Sequence, residues 1–263
     1  MLFSEYVDNL TSHGKCSFSL VEIKKTLNKK EAALRSSIAH LLAKGDLVSP
    51  AKGFYIIVPL EYQVLGCLPA EHFVPYLMEY WGCQYYAALL TAARYHGATH
   101  QSVQVFQVIV PTPRYPITCG KVKIDFIVNK NLDKTPIQKI ITAKSMLTIS
   151  TPEGAAMDLM NYPNQSGGLN HIATVLSELQ ESMKPEKLLS LAESQKILSW
   201  KQRLGYLLEV IGATQLVEGL KAHLKQQKRL DYIPLIPGIK DSGKIKKNTT
   251  WKIFENATIE SDI

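Results

Sequence analysis

The spacing of apolar residues predicts two short helices at the start of the chain. The first is indicated by large apolar side chains that recur at helical intervals, namely Phe3, Tyr6, Val7 and Leu10. The second has a capping box, because the sequence Ser19-Leu20-Val21-Glu22 places a serine hydroxyl and a glutamate where each can pair with a free backbone amide. This helix is expected to run from Leu20 to about Leu27.

A third helix and a two-stranded ribbon are predicted next. Asn28 precedes Glu31 by three residues, which repeats the capping arrangement. The helix carries apolar residues at helical spacing, namely Leu34, Ile38, Leu41 and Leu42. It is expected to stop at Gly45, because glycine suits the left-handed residue that ends many helices. Residues 46–57 then predict strand, turn and strand, so the first sixty residues have the pattern of a winged helix-turn-helix.

The face of the third helix opposite its apolar stripe has the chemistry of a DNA-reading surface. Small alanine and serine side chains let a helix enter a major groove, where basic and hydroxyl groups reach base edges and phosphates. The residues predicted to contact DNA are Ser17, Ser19, Lys29, Lys30, Ala32, Arg35, Ser36, His40 and, at the tip of the ribbon, Lys52. Winged helices also bind proteins, and a basic face on a short helix is often only solvated, so these interpretations stay open.

Beyond residue 60 the pattern predicts a mixed α/β region. Its predicted elements are a long apolar helix over 76–95 that ends at Gly97, strands within 103–110, 121–128 and 146–150, and a helix capped by Thr151 with Pro152 at its first position. From residue 169 to 227 the pattern is helical, with breaks at Pro185 and Gly212. Residues 228–263 are polar, basic and punctuated by proline and glycine, although Trp251, Ile253 and Phe254 indicate that this end docks.

The predicted fold class is α+β, with an N-terminal winged helix-turn-helix followed by a mixed α/β domain with a helical C-terminal part. A chain of 263 residues with 46% hydrophobic residues is long and apolar enough for more than one folded unit. The predicted domains are residues 1–60, the winged helix-turn-helix; residues 61–227, the mixed α/β domain; and residues 228–263, a basic and largely irregular tail.

The net charge of +7 favours a polyanionic partner. Basic residues concentrate between Lys221 and Lys252, and this segment includes Lys240, Lys244 and Lys246. The longest apolar runs are too short to span a bilayer, and the N-terminus lacks a basic region followed by an apolar one, so a cytoplasmic protein is expected. The four cysteines, Cys16, Cys67, Cys83 and Cys119, contain no C-x-x-C pair and are expected to be reduced and mostly buried.

Catalytic motifs are weak, and the chain is expected to be neither an enzyme nor a protein with a cofactor or metal. Asp125 lies in a predicted strand but lacks the E-x-K sequence of a nuclease-like site. His96 and His100 are four residues apart, but no glutamate follows His96 as in H-E-x-x-H. Tyr85 and Tyr86 are assigned to packing, although they could stack on a base. The alternative function is a winged-helix protein with a nuclease-like or other nucleic-acid-processing second domain.

Four short motifs, in order, resemble those of the AbiEi antitoxins, the repressor halves of type IV toxin-antitoxin operons of abortive infection. They are Lys52-Gly53-Phe54-Tyr55, Tyr85-Tyr86-Ala87-Ala88-Leu89-Leu90, His96-Gly97-Ala98-Thr99, and Thr151-Pro152-Glu153 before Asp158-Leu159. The resemblance covers roughly residues 3–225. It departs from the family at Gly154, where relatives usually carry a basic residue, and at the wing, which has one lysine where arginine is common.

The resemblance implies a function in phage defence with two parts. The winged helix would bind double-stranded DNA at an inverted repeat in the protein's own promoter and repress the operon. The C-terminal domain would neutralise a nucleotidyltransferase toxin without a stable complex with it.

Overall fold

A computed structural model of the chain describes residues 2–98, 104–238 and 246–259. Several residues of the sequence analysis, namely Thr99, His100, Val103, Lys240 and Lys244, lie outside these ranges. The chain forms two compact units. The first consists of Met1–Ala87, Gln104–Leu132 and Lys139–Ile149, and the second of Ala88–Val103, Asp133–Gln138 and Ser150–Ile263.

The first unit begins with six elements in the order helix, strand, helix, helix, strand, strand. They are α1 (Phe3–Ser12), β1 (Ser17–Ser19), α2 (Leu20–Leu27), α3 (Glu31–Lys44), β2 (Leu47–Ala51) and β3 (Phe54–Ile57). The three strands form one antiparallel sheet in the order β1-β3-β2. The predicted helices and ribbon are present, whereas the three-residue strand β1 was not predicted, because its pairing with β3 joins residues that are distant in sequence.

Local capping determines where the predicted helices begin and end. The predicted capping box of α2 is confirmed, since the amide of Glu22 donates to Ser19 Oγ at 3.1 Å and the amide of Ser19 donates to Glu22 Oε2 at 2.6 Å. The predicted cap of α3 is wrong: Asn28 ends α2 instead, with a φ of 46°. Asparagine tolerates the left-handed region that the sharp turn between the helices requires. Gly45 ends α3 with a φ of 78°, as expected.

The described remainder of the first unit contains one α-helix and most of a six-stranded mixed sheet. The elements are α4 (Ala70–Tyr80), β4 (Tyr86–Ala87), β5 (Phe106–Val110), β6 (Ile117–Cys119), β7 (Val122–Val128), β8 (Ile137–Ile141) and β9 (Met146–Ser150). Their order in the sheet is β6-β7-β5-β4-β9-β8. The predicted helix over 76–95 is wrong. It is interrupted after Tyr80, where Gly82 takes a φ of 57° and the chain then enters β4.

Packing in the first unit does not end at residue 60. One apolar cluster joins Phe3, Ile23, Leu34 and Ile38 within the N-terminal elements. A second cluster joins Cys16, Phe54 and Ile56 of those elements to Phe73 and Leu77 of α4 and to residues of β5 to β7. The N-terminal elements therefore share part of their core with the residues that follow them.

The second unit is mostly helical and ends in a small sheet. Its helices are α5 (Leu89–Tyr95), α6 (Pro152–Asn161), α7 (Gly168–Leu179), α8 (Pro185–Ser194), α9 (Ser199–Val210) and α10 (Thr214–Lys225). Thr151 caps α6 through a hydrogen bond from the Gly154 amide, with Pro152 at the first position, as predicted. The breaks expected at Pro185 and Gly212 are also present.

The described part of the C-terminal segment contains short strands. The strands β10 (Ile233–Pro234), β11 (Lys246–Asn248) and β12 (Ile253–Glu255) form a sheet in the order β10-β12-β11. Trp251 is fully buried, and its indole N–H donates to Glu209 Oε2 of α9 at 2.6 Å. An ideal Cβ on Gly205 of α9 would lie 2.0 Å from the Trp251 ring, so glycine makes room for the indole. The docking that Trp251 was expected to make is therefore present, and the buried indole contributes a large apolar surface to it.

Candidate nucleic-acid interface

The side chains predicted to contact DNA differ in their exposure. Seven of the nine are exposed, namely Lys29, Lys30, Ala32, Arg35, Ser36, His40 and Lys52. Ser17 is half-buried in β1, and Ser19 is only 6% exposed. The Ser19 hydroxyl accepts the Glu22 amide as the cap of α2, and its contact with a phosphate stays a prediction.

The polar side of helix α3 faces solvent because its apolar side packs in the core. Leu34 and Ile38 are 1% and 2% exposed and lie one turn apart on the same side. On the other side Ala32, Ser36 and His40 follow each other at intervals of four residues and are all exposed. This face carries small side chains along its length, which is the shape that a groove admits.

A network of three charged residues at the start of α3 was not predicted. Glu31 Oε1 accepts from Arg35 Nη2 at 2.7 Å, and Glu31 Oε2 pairs with Lys24 of α2. Hydrogen bonds from Lys24 and Arg35 lower the pKa of Glu31 to about 2. All three side chains are at least 40% exposed, so the pairs are readily exchanged for other partners. The spacing of Glu31 and Arg35, four apart on a helix, is the signal that could have identified this pair.

The turn between β2 and β3 is held by two hydrogen bonds from outside the ribbon. Tyr80 Oη of α4 donates to Lys52 O at 3.0 Å, and the Leu20 amide at the start of α2 donates to Gly53 O at 2.8 Å. Gly53 takes a φ of 77°, and a Cβ there would lie 2.9 Å from Tyr80 Oη. The exposed Lys52 is therefore carried on a braced turn. No sequence signal links Tyr80 to this turn, because 28 residues separate it from Lys52.

The structure describes Asp125 and His96 of the residues considered for catalysis, whereas His100 lies outside the described ranges. Asp125 is exposed in β7, and within residues 2–98, 104–238 and 246–259 no group of three or more His, Cys, Asp or Glu side chains is placed to hold a metal ion. His96 Nε2 lies 2.8 Å from Ser150 O, and burial lowers the pKa of His96. Tyr86 is 1% exposed, so its assignment to packing is confirmed. Cys16, Cys67 and Cys119 are buried and Cys83 is half-buried, all as free thiols.

The Thr-Pro-Glu motif at residues 151–153 is a structural junction in the second unit. Glu153 is 1% exposed, and its Oε1 accepts the Lys184 amide at 2.9 Å. Gly154 packs against the backbone, where a Cβ would lie 3.0 Å from Pro136 O. A side chain at this position would crowd Pro136, Ser150 and Thr135 unless they shifted.

Comparisons with known proteins bear on the family and on the fold of the chain. The family model of the AbiEi antitoxin C-terminal domain matches residues 86–210. The crystal structure of the RV2827C protein from Mycobacterium tuberculosis is similar at 18% sequence identity and a TM-score of 0.68, with 95% of this chain and 89% of that chain covered. No curated protein matches the sequence significantly. No helix in the described part of the chain is long and apolar enough to cross a membrane.

The likeness to the solved structure establishes the fold alone, since so low an identity carries no function with it. The family match bears on identity, and it covers two of the four motifs of the sequence analysis whole and a third from Tyr86 onward. The resemblance to the AbiEi family is confirmed over residues 86–210, where the chain carries an AbiEi antitoxin C-terminal domain.

Proposed function

We propose that the protein is a transcriptional repressor that binds double-stranded DNA at an inverted repeat in its own promoter, and that it is the antitoxin of a nucleotidyltransferase toxin. The first activity belongs to the N-terminal elements and the second to the AbiEi domain. The observation that carries the DNA-binding proposal is the exposed face of α3, with Lys52 on the adjacent turn.

The order of the N-terminal elements supports a winged helix-turn-helix. In that motif the second helix of the pair lies in the major groove and the wing contacts the backbone or minor groove. Helix α3 follows α2 after a turn of three residues, and the β2–β3 ribbon follows α3. Ala32, Ser36 and His40 would face the bases, whereas Lys29, Lys30 and Lys52 would contact phosphates.

Arg35 is proposed to exchange partners on DNA. Free of DNA it pairs with Glu31, and both groups are exposed to solvent. An exposed pair of this kind contributes little stability, so a guanine edge or a phosphate can replace the carboxylate at small cost. Glu31 would then keep Lys24, its other partner.

The proposal is tested by binding of the full chain to its own promoter. A gel shift compares a duplex from the region upstream of the gene with a scrambled duplex of the same composition, at fixed salt. The repressor is expected to prefer the promoter by at least about a thousandfold, as specific DNA-binding proteins do. Equal affinity for the two duplexes would contradict it.

The antitoxin part is tested separately in cells. Growth is measured after induction of the neighbouring nucleotidyltransferase gene, with and without this protein supplied from an unrelated promoter. The protein is expected to restore growth in this arrangement, in which repression of the native operon cannot account for the rescue. Failure to restore growth would remove the assignment of that toxin as partner.

A further inference from the structure

A cleft in the first unit lies between the N-terminal elements and α4, and the proposed function does not use it. Its volume is about 440 Å³. This lies within the range of roughly 300 to 1,000 Å³ that small-molecule sites occupy. Residues from α1, β1, α2, β3 and α4 line it. All of these belong to the same compact unit.

Aromatic rings form much of the wall of the cleft. The rings are those of Tyr6, Phe18, Phe54, Tyr76 and Tyr80. Phe54 and Tyr80 lie 5.3 Å apart between ring centroids, and Tyr6 and Phe18 lie 6.1 Å apart. Aromatic faces carry partial negative charge and attract cations, most strongly where water is excluded.

The charged side chains of the cleft favour the same kind of ligand. Two acidic residues, Glu22 and Glu79, and one basic residue, Lys15, are among the residues that line it. Across the described walls, negative charge is thus in excess. A carboxylate pairs with the charged group of an organic cation, and the aromatic faces contact its charge and its apolar body. The two kinds of group together bind such a cation better than either alone.

The walls of the cleft also hold the elements proposed to bind DNA. Tyr80 braces the turn at Lys52, and the capping box of Ser19 and Glu22 starts α2, whose Leu20 amide reaches Gly53. A ligand that touches Tyr80 and Glu22 therefore touches two supports of the same turn. A change in either support would move Lys52 relative to α3.

We propose that this cleft binds a small organic ammonium compound with an apolar body, and that the bound ligand weakens DNA binding by displacing Tyr80 from the Lys52 turn. The regulatory part rests on the proposed repressor function, whereas the binding part does not. Ligand binding and DNA binding are therefore measured independently.

The binding part is tested by calorimetry on the full chain with 2-phenylethylammonium, and with 2-phenylethanol as a neutral ligand of the same skeleton. The ammonium compound is expected to bind at least about tenfold more tightly than the alcohol. Glu79→Gln should weaken the ammonium compound about fivefold and leave the alcohol unchanged. The matched control is Glu71→Gln, which removes the same charge from α4 at a position outside the cleft wall and should leave both affinities unchanged.

Equal affinity for the two compounds, no binding of the ammonium compound, or the same weakening by Glu71→Gln and Glu79→Gln would overturn the cation site. For the regulatory part, saturating 2-phenylethylammonium should weaken promoter binding about fivefold in the wild type, and the Glu79→Gln variant should need about fivefold more ligand for the same effect. Unchanged promoter affinity in the saturated wild type would overturn the regulation. If the wild type without ligand shows no preference for its promoter, the repressor function fails, and the calorimetry still decides the site.

Discussion

Charged side chains are used in opposite ways by helix α3 and by the helices of the second unit. Arg35 of α3 is 60% exposed, and its partner Glu31 is another exposed side chain. In the second unit Lys201 is 1% exposed, and its Nζ donates to Gln195 O at 2.7 Å. Glu153 is buried to the same degree and accepts a backbone amide.

The difference indicates which charges are available to a partner molecule. An exposed pair exchanges its partner at little cost, whereas a buried charge with a backbone partner leaves an unpaired group behind if it moves. The charges of α3 therefore suit ligand binding, and the buried charges of the second unit stabilise its fold. The toxin-directed surface that we propose for this unit is therefore to be sought among its exposed residues and not at the buried Glu153.

The largest effect on stability is expected from Gly205→Ala. The added Cβ would lie 2.0 Å from the Trp251 ring, which must leave its site. Removal of a buried tryptophan costs about 3 to 5 kcal/mol, so the free energy of unfolding should fall by about 3 kcal/mol. Urea unfolding followed by circular dichroism measures this change.

A matched control is Gly219→Ala in α10, where a Cβ would meet only Leu189 at 3.8 Å. Alanine in a helix interior should raise the free energy of unfolding by about 0.5 kcal/mol or more relative to glycine. Promoter affinity should be the same for both variants wherever they remain folded. Equal stability of the two variants would contradict the assigned packing of Trp251.

Removal of the Glu153 carboxylate tests whether the buried charges of the second unit stabilise its fold. Glu153→Ala leaves the Lys184 amide without its acceptor, and an unsatisfied buried donor costs about 1 to 3 kcal/mol. Glu153→Gln keeps a carbonyl oxygen that can accept the same hydrogen bond and should cost less. Thermal unfolding of the two variants is compared with the wild type. A glutamine variant as unstable as the alanine variant would show that the charge, and not the hydrogen bond, is what matters.

On the DNA side, Lys52→Ala should weaken binding to every sequence alike. Loss of one phosphate contact lowers the slope of log affinity against log salt by about one unit. Fluorescence anisotropy with promoter and scrambled duplexes at several salt concentrations gives both slopes. Lys134→Ala, in the second unit, removes a lysine from outside the proposed interface and should leave the slope unchanged. An unchanged slope for Lys52→Ala would remove the wing turn from the interface.

A smaller effect in the opposite direction is expected from Glu31→Gln. The substitution removes a negative charge and releases Lys24 and Arg35 from their ion pairs. Affinity for DNA should rise several-fold at low salt, as expected for one additional net positive charge, and the rise should fade at high salt. Because the pairs are exposed, stability should change by less than about 1 kcal/mol. Weaker DNA binding would mean that Glu31 positions Arg35 on DNA instead of competing for it.

Sequence reasoning located what local signals determine. The capping box at Ser19, the helix end at Gly45 and the cap at Thr151 all depend on residues within one or two turns of each other. The exposed face of α3 followed from periodicity in the same way. These signals determined most of the helices and the order of the N-terminal elements.

Features that depend on distant residues were missed or misplaced. Asn28 was predicted to cap α3, but it ends α2, because the turn between the two helices requires a left-handed residue there. The break after Tyr80 lies in an apolar stretch, where helix and buried strand have similar composition. The contacts of Tyr80 with the Lys52 turn and of Trp251 with Gly205 join residues at least 28 positions apart, and no local pattern announces them.

Shared packing also changes how the two proposed activities are best separated. Cutting the chain near residue 60 would expose Phe54 and Ile56, which pack in one cluster with α4. Such fragments would lose activity through unfolding whatever their function. Point substitutions on the exposed face of α3 avoid this difficulty, because Arg35 and Ser36 contribute nothing to the buried clusters.

The most direct test of the account is therefore a pair of readouts on Arg35→Ala. One is the preference for promoter over scrambled duplex, with a promoter-driven reporter in cells, and the other is growth after induction of the nucleotidyltransferase toxin. The account predicts that the promoter preference falls by about 1 to 3 kcal/mol and repression is lost, as for removal of one base-reading arginine, while growth is still restored. Undiminished promoter preference, or loss of growth in a variant that remains folded, would contradict it.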